Sequence, residues 1–271
     1  MNVFRLVTVG LIASFLSLFG GNYAAAEGPP GLARFTAAVK RFEELQMAAQ
    51  ARNTEPRLGD PEVSDLLFVL SDVDSLFGSA KYNKDDLVIA LATCSSVGQI
   101  IDAYKTHGLA DVADANITSS KTEAWKMRNF SIFQDEVAPL LGFQLKCMAK
   151  TVPMFKDLVS SLRPEDWNYV RRKSLKDLRE SMAGEFINWL AVFGNGSLRP
   201  ENEALMLSSL AGTASPLADL MTLAQRKSIL ERAKKVSVGE DLKPYLDRII
   251  AAMGWTYCGE LCRRSNEPRL E

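Results

Sequence analysis

Apolar residues recur every three or four positions over almost the whole length of this chain. Leu32, Phe35, Val39, Phe42 and Leu45 form the first such series, and this spacing places side chains on one face of an α-helix. Nowhere do four to eight β-branched or aromatic residues alternate with polar ones between turn signals, as they do in a half-buried strand. We therefore predict an all-α protein without a β-sheet.

Start and stop signals divide the sequence into about eight to nine helices. Capping residues, prolines in a first turn and a capping-box spacing mark the starts, and glycines mark several ends. Within the fourth helix we expect a break or kink near Pro139 and Gly142, because proline removes a backbone donor. No linker rich in Pro, Gly or Ser separates two domains, so residues 27–271 are predicted to form one multi-helix domain. After the helix at Leu32, the predicted starts are Asp60–Glu62, Asn83, Ser120, Pro164, Pro200, Pro216 and Lys243.

A short motif occurs twice in the second half of the chain. The hexamer SLRPED at residues 161–166 returns as SLRPEN at residues 197–202. The residues that follow the two copies share no pattern of large side chains, which a helical repeat would require. We interpret the motif as one kind of helix start used twice, with proline in the first turn and an acid beside it.

The first 26 residues have the order of a secretory signal peptide. Arg5 precedes an uncharged apolar run of 14 residues from Leu6 to Phe19, and small residues follow up to Ala26. That run is shorter than the roughly 20 residues of a spanning helix, although an uncleaved membrane anchor is the alternative. Residues 1–26 are therefore predicted to be cleaved, leaving a periplasmic or secreted protein that begins near Glu27. No later segment is apolar for long enough to predict stable membrane insertion of the mature chain.

Export would place the four cysteines in an oxidising compartment, where they are expected to form two structural disulfides. In a straight helical hairpin centred near Ala113, Cys94 and Cys147 differ in register by about 15 residues, or about 22 Å. If residues 258–262 are helical, the β-carbons of Cys258 and Cys262 lie about 5–6 Å apart, too far for a disulfide. We therefore expect Cys94 and Cys147 to pair with the two tail cysteines; Cys94–Cys147 with Cys258–Cys262 is the alternative. A redox-active pair is not expected, because Cys-x-x-x-Cys lacks the thioredoxin-like spacing.

Signatures of catalysis and of cofactors are missing. The single histidine of the chain, His107, lies at a helix end, where we expect it to interact with the last carbonyls rather than to act in catalysis. Asp72 and Asp74 match the first and third ligand positions of a calcium loop, but the fifth and twelfth positions and the glycine do not match. There is no Gly-x-Ser-x-Gly, Cys-x-x-Cys-His or glycine-rich phosphate loop. No metal or cofactor site is predicted.

The net charge of the protein does not predict a nucleic-acid partner. The formal net charge is −1, so the protein has no overall field that would attract a polyanion. The densest basic run is YVRRKSLKDLR, residues 169–179, in which Arg172, Lys176 and Arg179 share one helix face. We interpret this basic stripe as a solvated face, with binding of an anionic partner as the alternative.

Three Asn-x-Ser/Thr sequons occur, at Asn116, Asn129 and Asn195. They would matter in a eukaryotic secretory pathway. The signal peptide does not identify the kind of cell, so the use of these sequons stays open.

Two hypotheses for function fit these limits. The first is a non-enzymatic protein that binds, scaffolds or protects a protein or glycan partner in the envelope or extracellular space. The alternative is a cofactor-free hydrolase or lyase that acts through carboxylates on a cell-wall or extracellular polymer. Glu185, within the apolar sequence MAGEFINWL, is the first acid to test. It is more simply an exposed helix residue, and no second acid presents itself as its partner.

Overall fold

The computed structural model describes residues 28–109, 119–194 and 196–264. Among these residues there are eleven α-helices, nine of them with seven or more residues, and no strand. The prediction of an all-α protein with about eight to nine helices is confirmed. The predicted signal peptide, residues 1–26, lies outside the described residues.

The helices are numbered here in chain order. A single 3₁₀ turn precedes α4 at Lys84–Asp86, and another precedes α7 at Pro164–Asp166. The α-helices are α1 Leu32–Gln50, α2 Val63–Ser71, α3 Val73–Phe77, α4 Leu87–Thr106, α5 Ser119–Ile132, α6 Gln134–Ser161, α7 Tyr169–Leu190, α8 Pro200–Leu220, α9 Leu223–Ala233, α10 Lys243–Gly254 and α11 Glu260–Arg263.

Helix α6, with 28 residues, is the centre of the fold. On one side it packs against α4 and α2, which in turn contact α1, and on the other it packs against α8. Helix α8 contacts α10, and α9 lies between α10 and α7. At the crossing of α6 and α8, a β-carbon on Gly142 would lie 3.0 Å from Ser209 Oγ. Gly142 therefore permits close helix packing and does not break the helix.

The break that we expected near Pro139 occurs earlier, at Phe133. Helix α5 ends at Ile132, and α6 then runs continuously through Pro139 and Pro153. The prediction was wrong because packing overrides the local cost of proline: Val137, Ala138 and Leu140, which flank Pro139, are fully buried. A missing donor costs less here than exposure of that stretch would.

The two copies of the repeated motif differ in structure. Pro200 begins α8, as predicted, whereas Pro164 opens only a 3₁₀ turn and α7 begins at Tyr169. Helix α8 also continues through Pro216, where we had predicted a new helix. The next start is instead at Thr222, whose side chain forms a capping box with Gln225.

Helix α4 is the one helix of the described residues that meets the length and hydropathy criteria for a membrane span. With its preceding turn it forms a span of 23 residues, Lys84–Thr106, that is long and apolar enough to cross a membrane by length and composition. The expectation that no such segment follows residue 26 was therefore wrong. In the fold its apolar side chains, including Leu87, Val97 and Ile100, are buried against other helices. Burial in a core accounts for this composition equally well.

Two glycines in the loop after α7 allow a matched test of backbone strain. Gly194 and Gly196 both have positive φ, +74° and +72°, so alanine at either position is strained. At Gly194 a β-carbon would lie 2.0 Å from Ser237 O, whereas at Gly196 nothing lies within 4 Å. We expect Gly194→Ala to lower the free energy of unfolding by about 2 kcal/mol more than Gly196→Ala. Urea unfolding of the two variants measures the difference, and equal losses would contradict this packing.

Candidate functional site

The four cysteines form two disulfides, Cys94–Cys147 and Cys258–Cys262. The expected pairing of the tail with Cys94 and Cys147 was therefore wrong, and the alternative is correct. The register calculation assumed one straight helical arm up to Cys147, but the break at Phe133 divides that arm into α5 and α6. After the break, helix α6 packs against α4 and brings Cys94 and Cys147 to a Cα–Cα distance of 5.4 Å.

The second disulfide closes the segment that follows α10, residues 255–262, which we call the C-terminal aromatic loop. Cys258 precedes α11, and Gly259 is the extended N-cap residue of that helix. The loop exposes two large aromatic side chains, Trp255 at 55% and Tyr257 at 59%. Their ring centroids are 5.7 Å apart with planes inclined by 36°. The two rings therefore form one exposed apolar surface.

A buried arginine holds the backbone of this loop. Arg226 Nη1 donates to Trp255 O at 3.3 Å and to Tyr257 O at 2.7 Å, while its Nε donates to Ala218 O at 2.6 Å. Arg226 is only 1% exposed, and burial lowers the pKa of its guanidinium. On the far side of the loop, Ser160 Oγ on α6 donates to Glu260 Oε2 at 2.7 Å. Arg226 thus fixes the loop backbone at Trp255 and Tyr257, and Ser160 binds the side chain of Glu260 at the other end, while the aromatic rings face solvent.

The basic stripe does not exist as a surface in the fold. Lys176 is exposed and lies 3.7 Å from Glu180, and Arg172 is half-buried. Arg179 points inward, is 1% exposed and donates from Nε to Leu220 O at 2.6 Å. The prediction of a shared solvated face was wrong because the side chain of Arg179 satisfies a carbonyl at the end of α8.

His107 pairs with a buried acid instead of with the carbonyls of its own helix. Its Nδ1 lies 3.4 Å from Glu55 Oε1, and Gln50 Nε2 donates to the same oxygen at 3.0 Å. Glu55 is 3% exposed. Burial raises the pKa of Glu55, and its contacts with Gln50, His107 and Gln46 partly oppose that effect. The expected contact of His107 with the last carbonyls of its helix was therefore wrong.

Glu55 lies in the loop between α1 and α2, and a second buried glutamate anchors that loop. Glu136 is 1% exposed, accepts from the backbone N–H of Leu58 at 2.8 Å and lies 3.4 Å from Arg57 Nε. Between the two acids, Tyr104 donates from its hydroxyl to Pro56 O at 2.7 Å. Burial, followed by the charges of Glu136 and Glu55, raises the pKa of Tyr104. These contacts, which the sequence did not reveal, fasten one loop to the core.

Glu185, the acid selected from the sequence, carries a charge that acts on one other acid, Asp102. It is half-buried on α7, and Asp102 is half-buried on α4. Burial raises the pKa of Asp102; the charges of Lys105 and Lys126 oppose this, and the charge of Glu185 adds to it. The charge of Glu185 is thus the smallest of the four influences on the pKa of Asp102, and burial is the largest.

The raised pKa of Asp102 predicts how stability depends on pH. A carboxyl with a folded-state pKa above its unfolded value loses stability as pH rises through the folded pKa, because the folded state must then bury a charge. We expect Asp102→Asn to raise the melting temperature at pH 7, by an amount that vanishes near pH 4. Asp65→Asn, an exposed site, is the control. An Asp102→Asn variant that is less stable than wild type at pH 7 would show that the carboxylate is stabilised instead.

Other residues selected from the sequence have structural roles. Asp72 caps α3 by accepting from Ser75 N at 2.9 Å, and Asp74 lies 3.4 Å from Lys150. Asn129 is 4% exposed and donates to Lys105 O and His107 O, so its amide is not accessible to a glycosylating enzyme in the folded chain. Asn116 and Asn195 lie outside the described residues. In the described part of the chain, no group of three or more His, Cys, Asp or Glu side chains is placed to hold a metal ion.

Comparison with known proteins gives no family for this chain. No protein-family model, no curated protein and no solved structure matches it. Any assignment of function therefore depends on the geometry described above.

Proposed function

We propose that this protein is exported and acts by binding another protein through its C-terminal aromatic loop, not by catalysis. The observation that carries the proposal is the pair of exposed rings, Trp255 and Tyr257, on a backbone that a buried arginine and a disulfide hold in place. Trp and Tyr are among the residues that contribute most to protein interfaces. Because the loop backbone is already ordered, a partner that covers the rings would lose less conformational entropy on binding.

Export is supported by the disulfides. Two disulfides in the described residues are compatible with an exported protein, since such bonds persist in oxidising compartments and are rare in the cytosol. The N-terminal sequence predicts the same destination. The expected mature N-terminus is close to Glu27, which mass spectrometry of the secreted protein would determine.

The binding surface can be tested with two matched double variants. Trp255→Ala/Tyr257→Ala removes the aromatic surface, and Phe68→Ala/Tyr169→Ala removes two side chains of similar exposure, 67% and 71%. Tagged protein is cross-linked in its native envelope and captured, and the bound species are identified. We expect one protein species that wild type and the control variant capture equally and the loop variant captures at least about tenfold less.

Two results would overturn the proposal. Equal capture by the loop variant would place the interface elsewhere on the molecule. Loop-dependent capture of a polysaccharide in place of a protein would show that the partner is a glycan. Far-UV circular dichroism and the melting temperature of the loop variant, compared with those of the control, establish that a loss of capture does not reflect a loss of fold.

A second candidate function is supported by the acids on α4 and α7. The charge of Glu185 contributes to the raised pKa of Asp102. Polysaccharide hydrolases and lyases use pairs of carboxylates that differ in proton affinity. If the protein has such an activity, Asp102→Asn and Glu185→Gln would each abolish release of soluble fragments from cell-wall polymer. Loss of that activity in the aromatic-loop variant alone would speak against these acids.

A further inference from the structure

The two disulfides differ sharply in their surroundings. Cys94 and Cys147 are both 0% exposed and join the central helices α4 and α6. Cys262 is also 0% exposed, but Cys258 is half-buried and lies in the non-helical part of the aromatic loop, next to exposed Tyr257. Of the four cysteines, Cys258 alone is accessible to solvent in the folded protein.

We propose that Cys258–Cys262 is a site of thiol–disulfide exchange, opened by an external dithiol reductant that attacks Cys258 Sγ, while Cys94–Cys147 stays intact. The proposal does not depend on whether the aromatic loop binds a partner. It departs from the purely structural role that the Cys-x-x-x-Cys spacing predicts for the tail cysteines, and the co-substrate is a dithiol.

The reductant attacks the more accessible of the two cysteines, Cys258. A thiolate of the reductant attacks Cys258 Sγ, forms a mixed disulfide with it, and expels Cys262 Sγ as a thiolate. The second thiol of the reductant then attacks the reductant's first sulfur, the one bonded to Cys258 in the mixed disulfide. This step closes the reductant's own disulfide and releases Cys258 as a thiolate. One dithiol is oxidised to a disulfide, and one protein disulfide is reduced to two thiols, so two electrons and two protons are transferred.

The two residues that follow Cys262 in the sequence are basic. Cys262 is followed directly by Arg263 and Arg264, and nearby cations stabilise a thiolate. Arg264 Nη2 lies 3.6 Å from Glu260 Oε1, and the side chain of Arg263 is exposed. A thiolate that is better stabilised also leaves faster.

Opening this bond should leave the rest of the fold in place. The disulfide spans a sequence separation of only 4, against 53 for Cys94–Cys147, and closing a short loop removes less entropy from the unfolded chain than closing a long one. Arg226 and Ser160 hold the two ends of the loop through hydrogen bonds that do not involve the cysteines. Exchange at Cys94–Cys147, by contrast, requires the central helices to separate.

The experiment uses the full folded chain and dithiothreitol as the dithiol. Samples are quenched with acid at intervals, alkylated and analysed by peptide mapping, and a parallel sample is treated in denaturing urea. We expect the folded protein to be alkylated at Cys258 and Cys262 at least roughly 100-fold faster than at Cys94 and Cys147. In urea that ratio should fall close to one. Similar rates at both pairs in the folded chain would overturn the proposal.

The site of attack is tested with glutathione disulfide and two single variants. Cys262→Ser leaves Cys258 as the free thiol, and Cys258→Ser leaves Cys262. We expect a glutathione adduct to form at least about tenfold faster in Cys262→Ser. Faster reaction of Cys258→Ser would overturn the assignment of the attacked sulfur. Wild-type protein whose helical circular dichroism collapses when only Cys258–Cys262 is reduced would show that the bond holds the whole fold together.

Discussion

Replacing Cys94 and Cys147 together by alanine should lower the free energy of unfolding by about 4 kcal/mol. This bond closes a sequence separation of 53, and the entropy that a cross-link removes from the unfolded chain grows with the length of the closed segment. It is one of the two largest effects that we expect from any change in the described residues.

The position of the bond adds to this effect. Cys94 and Cys147 are fully buried on α4 and α6, and these two helices pack along each other in the middle of the fold. The bond therefore links the N-terminal helices to the helix on which the C-terminal half is packed. Without the bond, the unfolded chain gains conformational entropy. The folded chain loses only the contacts that the two sulfur atoms make.

The tail disulfide is the matched control. Cys258→Ala/Cys262→Ala removes a bond with a separation of 4, for which the same relation gives about 2 kcal/mol. Urea unfolding followed by circular dichroism compares both double variants with wild type under oxidising conditions. Equal losses in the two variants would mean that loop length does not determine their contributions.

The sequence predicted helices well because their main signal is local. A spacing of three or four residues between apolar side chains depends on no distant part of the chain, and it holds for α1, α4 and α6 alike. The breaks between helices were harder to predict because they are decided by packing. Pro139 and Pro216 lie inside continuous helices whose neighbouring residues are buried, whereas Phe133, with no breaking tendency, separates α5 from α6.

The candidate site could be predicted only in part. That all four cysteines pair followed from their number and the expected compartment, but the pairing depended on the break at Phe133. Trp255 and Tyr257 were visible in the sequence, yet nothing local shows that Arg226, about 30 residues away, holds the backbone between them. Glu55 and Glu136 resemble ordinary surface glutamates until the loop that they anchor is in place.

The most consequential change to a single side chain concerns Arg179. We expect Arg179→Ala to lower the free energy of unfolding by about 3 kcal/mol, which corresponds to a fall in melting temperature of about 6–12 °C for a chain of this size. Arg172→Ala and Lys176→Ala, on the same stretch of α7, should each change stability by no more than about 0.5 kcal/mol. The triple variant should therefore lose about as much as Arg179→Ala alone.

The reason lies at the end of α8. The last carbonyls of a helix have no partner within it and carry its negative dipole charge. Arg179 Nε donates to Leu220 O and Arg226 Nε donates to Ala218 O, both at 2.6 Å, so two guanidinium groups from α7 and α9 satisfy this end. Alanine at position 179 removes one donor and leaves a void where one of the largest fully buried side chains had been.

A conservative variant separates volume from charge. Burial lowers the pKa of Arg179 to about 10, and its Nη2 has no hydrogen-bond partner, so the folded chain carries a desolvated cation at a cost in free energy. Arg179→Met keeps most of the volume and removes that cost, but it leaves Leu220 O without this donor. We therefore expect Arg179→Met to lose only about 1 kcal/mol. If Arg179→Ala were no less stable than Lys176→Ala, the side chain would have to face solvent, and the basic stripe on α7 would again be available as a binding surface.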